Sequence, residues 1–191
     1  MNQSLRWKIL AALLSSLIVL STQFQIMVFG AVPFTLQTVA IQIGAFALPK
    51  PYGIISIILY LMLGLIGFPV FSKGGAGIGH FLGPTGGFLY GFLIATILIQ
   101  IFRLQFLKSR FHLFLGIAIH TIVLFSFGEI HLSYVTGKDL YTVFTSIMLA
   151  FYPFAIIKCF ISLFAVETLI KAILRKGMDP SLKSCYLNKA L

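Results

Sequence analysis

Long apolar blocks separated by short polar links make up most of the 191-residue chain. A helix that crosses a bilayer needs about 20 predominantly apolar residues, so these blocks predict six transmembrane helices. The last block is too long for one straight helix, and Pro153 divides it because proline fits the first turn of a helix. The predicted spans are residues 9–28, 33–48, 52–71, 84–102, 111–127 and 153–174, with a short helix at 140–151. We therefore expect an all-α integral membrane protein with a single transmembrane domain, residues 1–191.

The composition supports this class and excludes several others. Hydrophobic residues make up 59% of the chain, charged residues make up 9%, and the mean hydropathy is +1.04. Soluble domains carry about 25% charged residues, which this chain cannot match. Its two cysteines do not suggest a disulfide framework. The sequence contains no P-loop, so ATP-driven activity would require partner proteins.

Basic residues outnumber acidic ones by fourteen to four. Such an excess can indicate nucleic-acid binding, but here the basic residues cluster between apolar blocks, as the positive-inside rule predicts. With a cytoplasmic N-terminus, eleven basic residues lie inside, whereas only Lys73 and Lys138 lie in outer loops. We therefore expect a multi-pass protein of the bacterial cytoplasmic membrane with both termini in the cytoplasm and no nucleic-acid partner.

The residues give little support for catalysis or metal binding. The four acids are scattered along the chain, and the four histidines show no spacing typical of a metal site. We expect no enzyme activity, no metal and no cofactor. His120 lies within the fifth span, where a hydrogen bond to another helix is its expected role.

Three polar residues inside spans are candidates for binding a ligand. Lys158 is costly in an apolar helix, so it either extends to the headgroups or receives an anionic ligand group. We favour the ligand. Gln37 and Thr38 lie near the start of the second span, where they bind either another helix or the polar part of a ligand.

Glycine and other small residues mark two further segments. The glycine-rich link that ends near His80, followed by Thr85, Gly86 and Gly87, can form a ligand lid, a flexible connector or a close helix contact. The first span carries small residues four positions apart, which suit either internal packing or the docking of a partner helix. These small residues are Ala11, Ala12, Ser15 and Ser16.

Three motifs give the chain a resemblance to a known family. The segments 32–38 (VPFTLQT), 60–70 and 83–91 (GPTGGFLYG) resemble the BioY family of biotin-binding substrate (S) components of energy-coupling-factor (ECF) transporters. The resemblance implies a six-helix S-component bundle with a biotin pocket near the outer face. The ligand-binding residues expected on this basis are Gln37, Thr38, His80, Thr85, Gly86, Gly87, Tyr90 and Lys158.

The resemblance also implies partners: a membrane T subunit and two cytoplasmic ATPases, docked on the small-residue strip of the first helix. Two positions depart from the family pattern. Ser15 replaces a second alanine of the strip, and Ala155 stands where the family's Pro-Gly-Asp-x-x-Lys motif has aspartate. Gln37 or His80 is then the alternative polar contact.

The expected function is biotin uptake as an ECF S component. The alternatives are a stand-alone biotin transporter, an S component for another vitamin, a membrane enzyme such as a lipid-modifying transferase, and an accessory protein without a ligand.

Overall fold

The computed structural model describes residues 2–29, 32–146, 148–179 and 182. It shows nine α-helices and one β-hairpin in this part of the chain. The helices are α1 (Gln3–Gln23), α2 (Gln37–Ala47), α3 (Tyr52–Leu65), α4 (Ile78–Leu82), α5 (Gly86–Ile101), α6 (Arg103–Phe106), α7 (Arg110–Thr136), α8 (Leu140–Ser146) and α9 (Tyr152–Arg175). The strands are β1 (Gln25–Phe29) and β2 (Val32–Thr35).

Three of the described helices, α1, α7 and α9, are long and apolar enough to cross a membrane on their own. Three shorter apolar helices, α2, α3 and α5, complete the bundle. Each of these six helices overlaps one predicted span. The helices differ greatly in length, because the shorter ones are flanked by a hairpin or by glycine-rich connections instead of further helical turns.

The β-hairpin between α1 and α2 differs from the prediction. The sequence suggests helix to residue 28 and again from 33, but α1 ends at Gln23 and two antiparallel strands follow. Strand pairing opposes Gln25 to Thr35 and Ile26 to Phe34, which satisfies backbone hydrogen bonds locally. The turn expected at residues 30–33 is only partly described: Val32 and Pro33 belong to β2, and residues 30 and 31 lie outside the described residues.

Helix α7 is longer than predicted. We expected a polar link from residue 128, but the helix continues to Thr136 and ends where Gly137 adopts a positive φ of 67°. Glu129, in the added part of the helix, has a hydrogen-bond partner that offsets the cost of its partial burial. The hydroxyl of Tyr152 donates to Glu129 Oε1 at 3.0 Å. The predicted short helix at 140–151 is α8 followed by a single 3₁₀ turn at Met148–Ala150.

Helix α2 is the buried centre of the bundle, because ten of its eleven residues are buried. Its Gln42 amide donates to Thr121 Oγ1 on α7 at 3.0 Å. The fully buried His120 ring lies 3.4 Å from the Thr96 hydroxyl of α5. His120 therefore packs between helices, and these polar contacts link α2, α5 and α7 below the site described next.

Candidate ligand-binding site

A pocket lies at the end of the bundle where the hairpin meets the first turns of α2, α5 and α9. The space between its lining residues, including open solvent at the mouth, is about 650 Å³. Five of the predicted ligand residues line it. These residues are Gln37, Thr38, His80, Thr85 and Lys158.

The first turn of α2 fixes one polar wall. Gln37 and Thr38 are both buried at the start of the helix. The Gln37 amide Nε2 donates to the Tyr60 hydroxyl of α3 at 2.8 Å, which holds the side chain in place. Since the amide nitrogen is engaged, the carbonyl oxygen Oε1 is the atom that can accept a hydrogen bond from a ligand.

The connection between α3 and α5 supplies the second polar wall. The His80 ring stacks on Phe71 with ring centroids 5.1 Å apart, and its Nε2 lies 3.1 Å from Thr85 Oγ1. Burial, and to a smaller extent the positive charge of Lys73, lower the pKa of His80. The ring is therefore neutral near pH 7, with one nitrogen able to donate and the other able to accept.

Lys158 is the cation of the pocket. It lies near the start of α9, whose first turn contains Pro153. Its Nζ lies 3.8 Å above the centroid of the Phe34 ring in β2. Among the described residues, the three ion pairs all involve other side chains. The ammonium group is thus available to bind an anionic ligand group.

The rest of the wall is apolar except for Thr35 and Ser72, and it was not predicted from the sequence. Phe88 and Phe92 lie four residues apart on α5, so they share one face of that helix. This spacing directly after the GPTGG motif is the signal that could have identified them. The main apolar side chains of the lining are Phe34, Phe88, Phe92, Leu124, Phe125 and Phe151. Together with the polar residues, they suit a ligand with an apolar body, a neutral polar head and an anionic group.

Three predicted ligand residues do not line this pocket in the described part of the chain. A Cβ atom on Gly86 would collide with the carbonyl oxygen of Phe81, and one on Gly87 would collide with His131 of α7. The Tyr90 hydroxyl donates to the same Phe81 carbonyl at 3.2 Å. Gly86, Gly87 and Tyr90 thus pack α5 against α4 and α7, and their role in ligand binding stays a prediction.

The small-residue strip of α1 divides into two faces. Ala11 and Ser15 are 0% and 3% exposed, because the helical period places them on the inward side with Leu14. Both residues pack inside the isolated chain, and their role in docking a partner stays a prediction. Ala12 and Ser16 are exposed, and the Ser16 hydroxyl donates back to the Ala12 carbonyl at 3.1 Å.

The helical bundle and its pocket define a class: a multi-pass membrane protein with a pocket for a small molecule between its helix ends. No group of metal-binding side chains occurs in the described ranges. The sequence comparison identifies the family, since the model of the BioY family matches residues 1–175. The chain belongs to the BioY family.

Named relatives and a solved structure agree with this assignment. The biotin transporter BioY of Thermotoga maritima is 36% identical over 116 residues, which cover 60% of this chain and 67% of that protein. A biotin transporter BioY of Lactococcus lactis is 33% identical over 148 residues, which cover 75% of this chain and 78% of that protein.

The crystal structure of the S-component for biotin from an ECF-type ABC transporter superposes with a TM-score of 0.83. The two sequences are 29% identical, and the match covers 90% of this chain and 95% of the other. This similarity confirms the predicted fold class, an all-helical multi-pass membrane protein of the S-component type. The family contains transporters, in agreement with the prediction that the chain is not an enzyme.

Proposed function

We propose that this protein binds biotin as the S component of an ECF-type transporter. The observation that carries the proposal is the pocket itself, which combines one cation, a cluster of neutral polar groups and an aromatic wall. Biotin has the matching chemistry: a carboxylate, a neutral ureido ring that donates and accepts hydrogen bonds, and an apolar chain between them. The relatives named as biotin transporters support the same ligand.

The polar groups of the pocket suggest how the ligand is oriented. Lys158 receives the carboxylate, because a charge-assisted hydrogen bond is stronger than one between neutral groups. Gln37 and the neutral His80 ring, with Thr85 beside it, bind the ureido ring, which needs both donors and acceptors. Thr38, which also lines the pocket, contributes a further hydroxyl. Ala155 carries no polar atom, so Gln37 and His80 supply the polar contacts.

Calorimetric titration of the purified protein with biotin tests the proposal. We expect saturable binding to one site, and no binding heat with thiamine or riboflavin. A protein that binds one of those vitamins and not biotin would be an S component of different specificity. A protein that binds none of them would contradict the proposed function.

The proposed partners are a membrane T subunit and two cytoplasmic ATPases, since the sequence has no P-loop of its own. The exposed strip of Ala12 and Ser16 on α1 is the proposed docking face, because small residues allow close helix contact. The double variant Ala12→Leu/Ser16→Leu should lose co-purification of the T subunit and reduce biotin uptake by cells about tenfold. Biotin titration of the purified variant should be unchanged.

Ala172→Leu is the matched control, because it makes a similar change at an exposed position of α9. It should leave uptake intact. If the Ala12/Ser16 variant takes up biotin normally, docking occurs elsewhere or the protein transports biotin without a coupling module.

The proposed orientation has both termini in the cytoplasm, on the basis of eleven inner and two outer basic residues. In a background without Cys159 and Cys185, Lys138→Cys should react with an impermeant thiol reagent added to intact cells. Lys108→Cys, in the link before α7, should react only after permeabilisation. The opposite pattern would reverse the orientation.

A further inference from the structure

The contact between Phe34 and Lys158 joins two distant parts of the chain at the pocket. Phe34 lies in strand β2, and Lys158 lies in α9. The Lys158 ammonium lies 3.8 Å above the ring centroid, on the electron-rich face of the ring. No carboxylate of the described residues lies within ion-pairing distance of this ammonium. The aromatic ring is therefore the group that stabilises the charge before a ligand arrives.

The Phe34 ring is itself held on two sides. Its centroid lies 5.1 Å from that of Phe154, one helical turn before Lys158 on the same face of α9. Its backbone is fixed by the pairing of β2 with β1, where Phe34 lies opposite Ile26. A ring fixed by a helix and by a strand offers the ammonium one defined position.

This position matters because a lysine side chain is long and flexible. An ammonium near a helix end can extend toward the aqueous surface, where it would no longer face the pocket. Both Phe34 and Lys158 line the pocket, so the cation–π contact keeps the ammonium at the wall of the cavity. Because the ammonium is already in position, less conformational entropy is lost when the ligand binds. This saving improves affinity without any new contact to the ligand.

We propose that Phe34 is a positioning residue that holds the Lys158 ammonium in the pocket and so determines the preference for ligands with a free carboxylate. The proposal rests on the proposed function, because it takes biotin as the ligand. It differs from a simple wall contact in one respect: the effect of Phe34 passes through Lys158, and disappears when that charge is removed.

The test is a double-mutant cycle of Phe34→Leu and Lys158→Met, titrated with biotin and with biotin amide, which lacks the anion. Phe34→Leu keeps apolar volume but removes the ring. It should weaken biotin binding about fivefold to thirtyfold and amide binding less than about twofold. In the Lys158→Met background, the same change should have no further effect on biotin. Phe34→Tyr retains an aromatic face and should bind biotin nearly as the unchanged protein does.

Phe92→Leu is the matched control, since Phe92 lines the pocket on α5, whereas the cation–π contact of Lys158 is with Phe34. It should weaken binding of the acid and of the amide equally. Thermal unfolding in detergent checks that each variant is folded. If Phe34→Leu does not fold, Phe34→Tyr is the variant with which the proposal is tested. If Phe34→Leu weakened binding of biotin and of biotin amide equally, or if its effect added to that of Lys158→Met, this proposal would be overturned. Either result would leave the proposed function, biotin binding, intact. Failure of the unchanged protein to bind biotin would overturn both this proposal and the proposed function.

Discussion

Two basic side chains within the bundle, Arg103 and Lys158, are held in opposite ways. Arg103 is 5% exposed and donates to the carbonyls of Phe46 and Ala47 at 2.8 and 3.0 Å and to the Asp179 carboxylate at 3.3 Å. Lys158 has an aromatic ring beside it and open space in the pocket before it. Arg103 therefore acts in the structure of the bundle, whereas Lys158 retains the capacity to bind a ligand.

The comparison shows that burial of a charge does not by itself identify a functional residue. The partners of the charged group determine its role. A guanidinium whose N–H groups already donate to carbonyls and a carboxylate has few donors available for a ligand. The two residues also lie at opposite ends of the bundle. Arg103 joins the end of α2 to the segment after α9, and the pocket lies at the start of both helices.

Removal of Arg103 should have the largest effect on stability. Arg103→Ala leaves the buried Asp179 carboxylate without its guanidinium, a change that costs about 3–5 kcal/mol in folded proteins. Thermal unfolding in detergent should show a large decrease in midpoint, while the remaining folded protein binds biotin normally. Arg110→Ala is the control, because Arg110 is exposed in its pair with Glu167 at 3.5 Å and its loss costs at most about 1 kcal/mol. Normal stability of Arg103→Ala with weakened biotin binding would refute the comparison.

Removal of Lys158 should instead affect the ligand. A charged hydrogen bond contributes about 1.5–3 kcal/mol, so Lys158→Ala should weaken biotin binding about tenfold to a hundredfold. Titration with biotin amide should show little change, and the unfolding midpoint should stay near that of the unchanged protein. Lys73→Ala, an exposed lysine of the α3–α5 connection, is the control and should leave affinity within about threefold. Near-normal biotin affinity of Lys158→Ala would show that this lysine serves the headgroup region.

The smallest effect concerns His80 and pH. Burial, and then the charge of Lys73, lower the pKa of His80 in the folded protein below the value of about 6.5 in the unfolded chain. The unfolded chain therefore binds more protons as the pH falls, so stability is full above about pH 6.5 and decreases below it. His80→Gln should reduce the drop in unfolding midpoint between about pH 7 and about pH 5.

Lys73→Ala, which removes only the smaller cause, should leave most of that pH dependence in place. An unchanged pH dependence in His80→Gln would assign it to other groups.

The sequence allowed the lysine and one polar wall of the pocket to be predicted, because a charge or an amide in an apolar segment is costly and therefore informative. Lys158, Gln37 and Thr38 were found in this way, and all three line the pocket. The hairpin was not predicted. A continuous apolar run does not distinguish a buried strand from a helix, and residues 26–32 (IMVFGAV) contain no polar side chain that could alternate.

Contacts between distant segments were beyond the reach of sequence patterns. Gly86 and Gly87 have the composition of a ligand loop, and the sequence pattern could not show that they also lie against α4 and α7. Likewise, α1 is apolar around most of its circumference, so the pattern could not show that Ala11 faces inward and Ala12 outward.

The shortness of α2 has a consequence for how the protein is made. Its eleven residues span about 16 Å, roughly half of the hydrocarbon thickness, and it contains Gln37 and Gln42. Such a segment is too short and too polar to partition into lipid alone during synthesis. Its stable insertion requires the later helices that pack around it. The last long helix of the described residues is α9, which supplies Lys158. A ribosome that stops before α9 therefore releases a chain that cannot form its binding pocket.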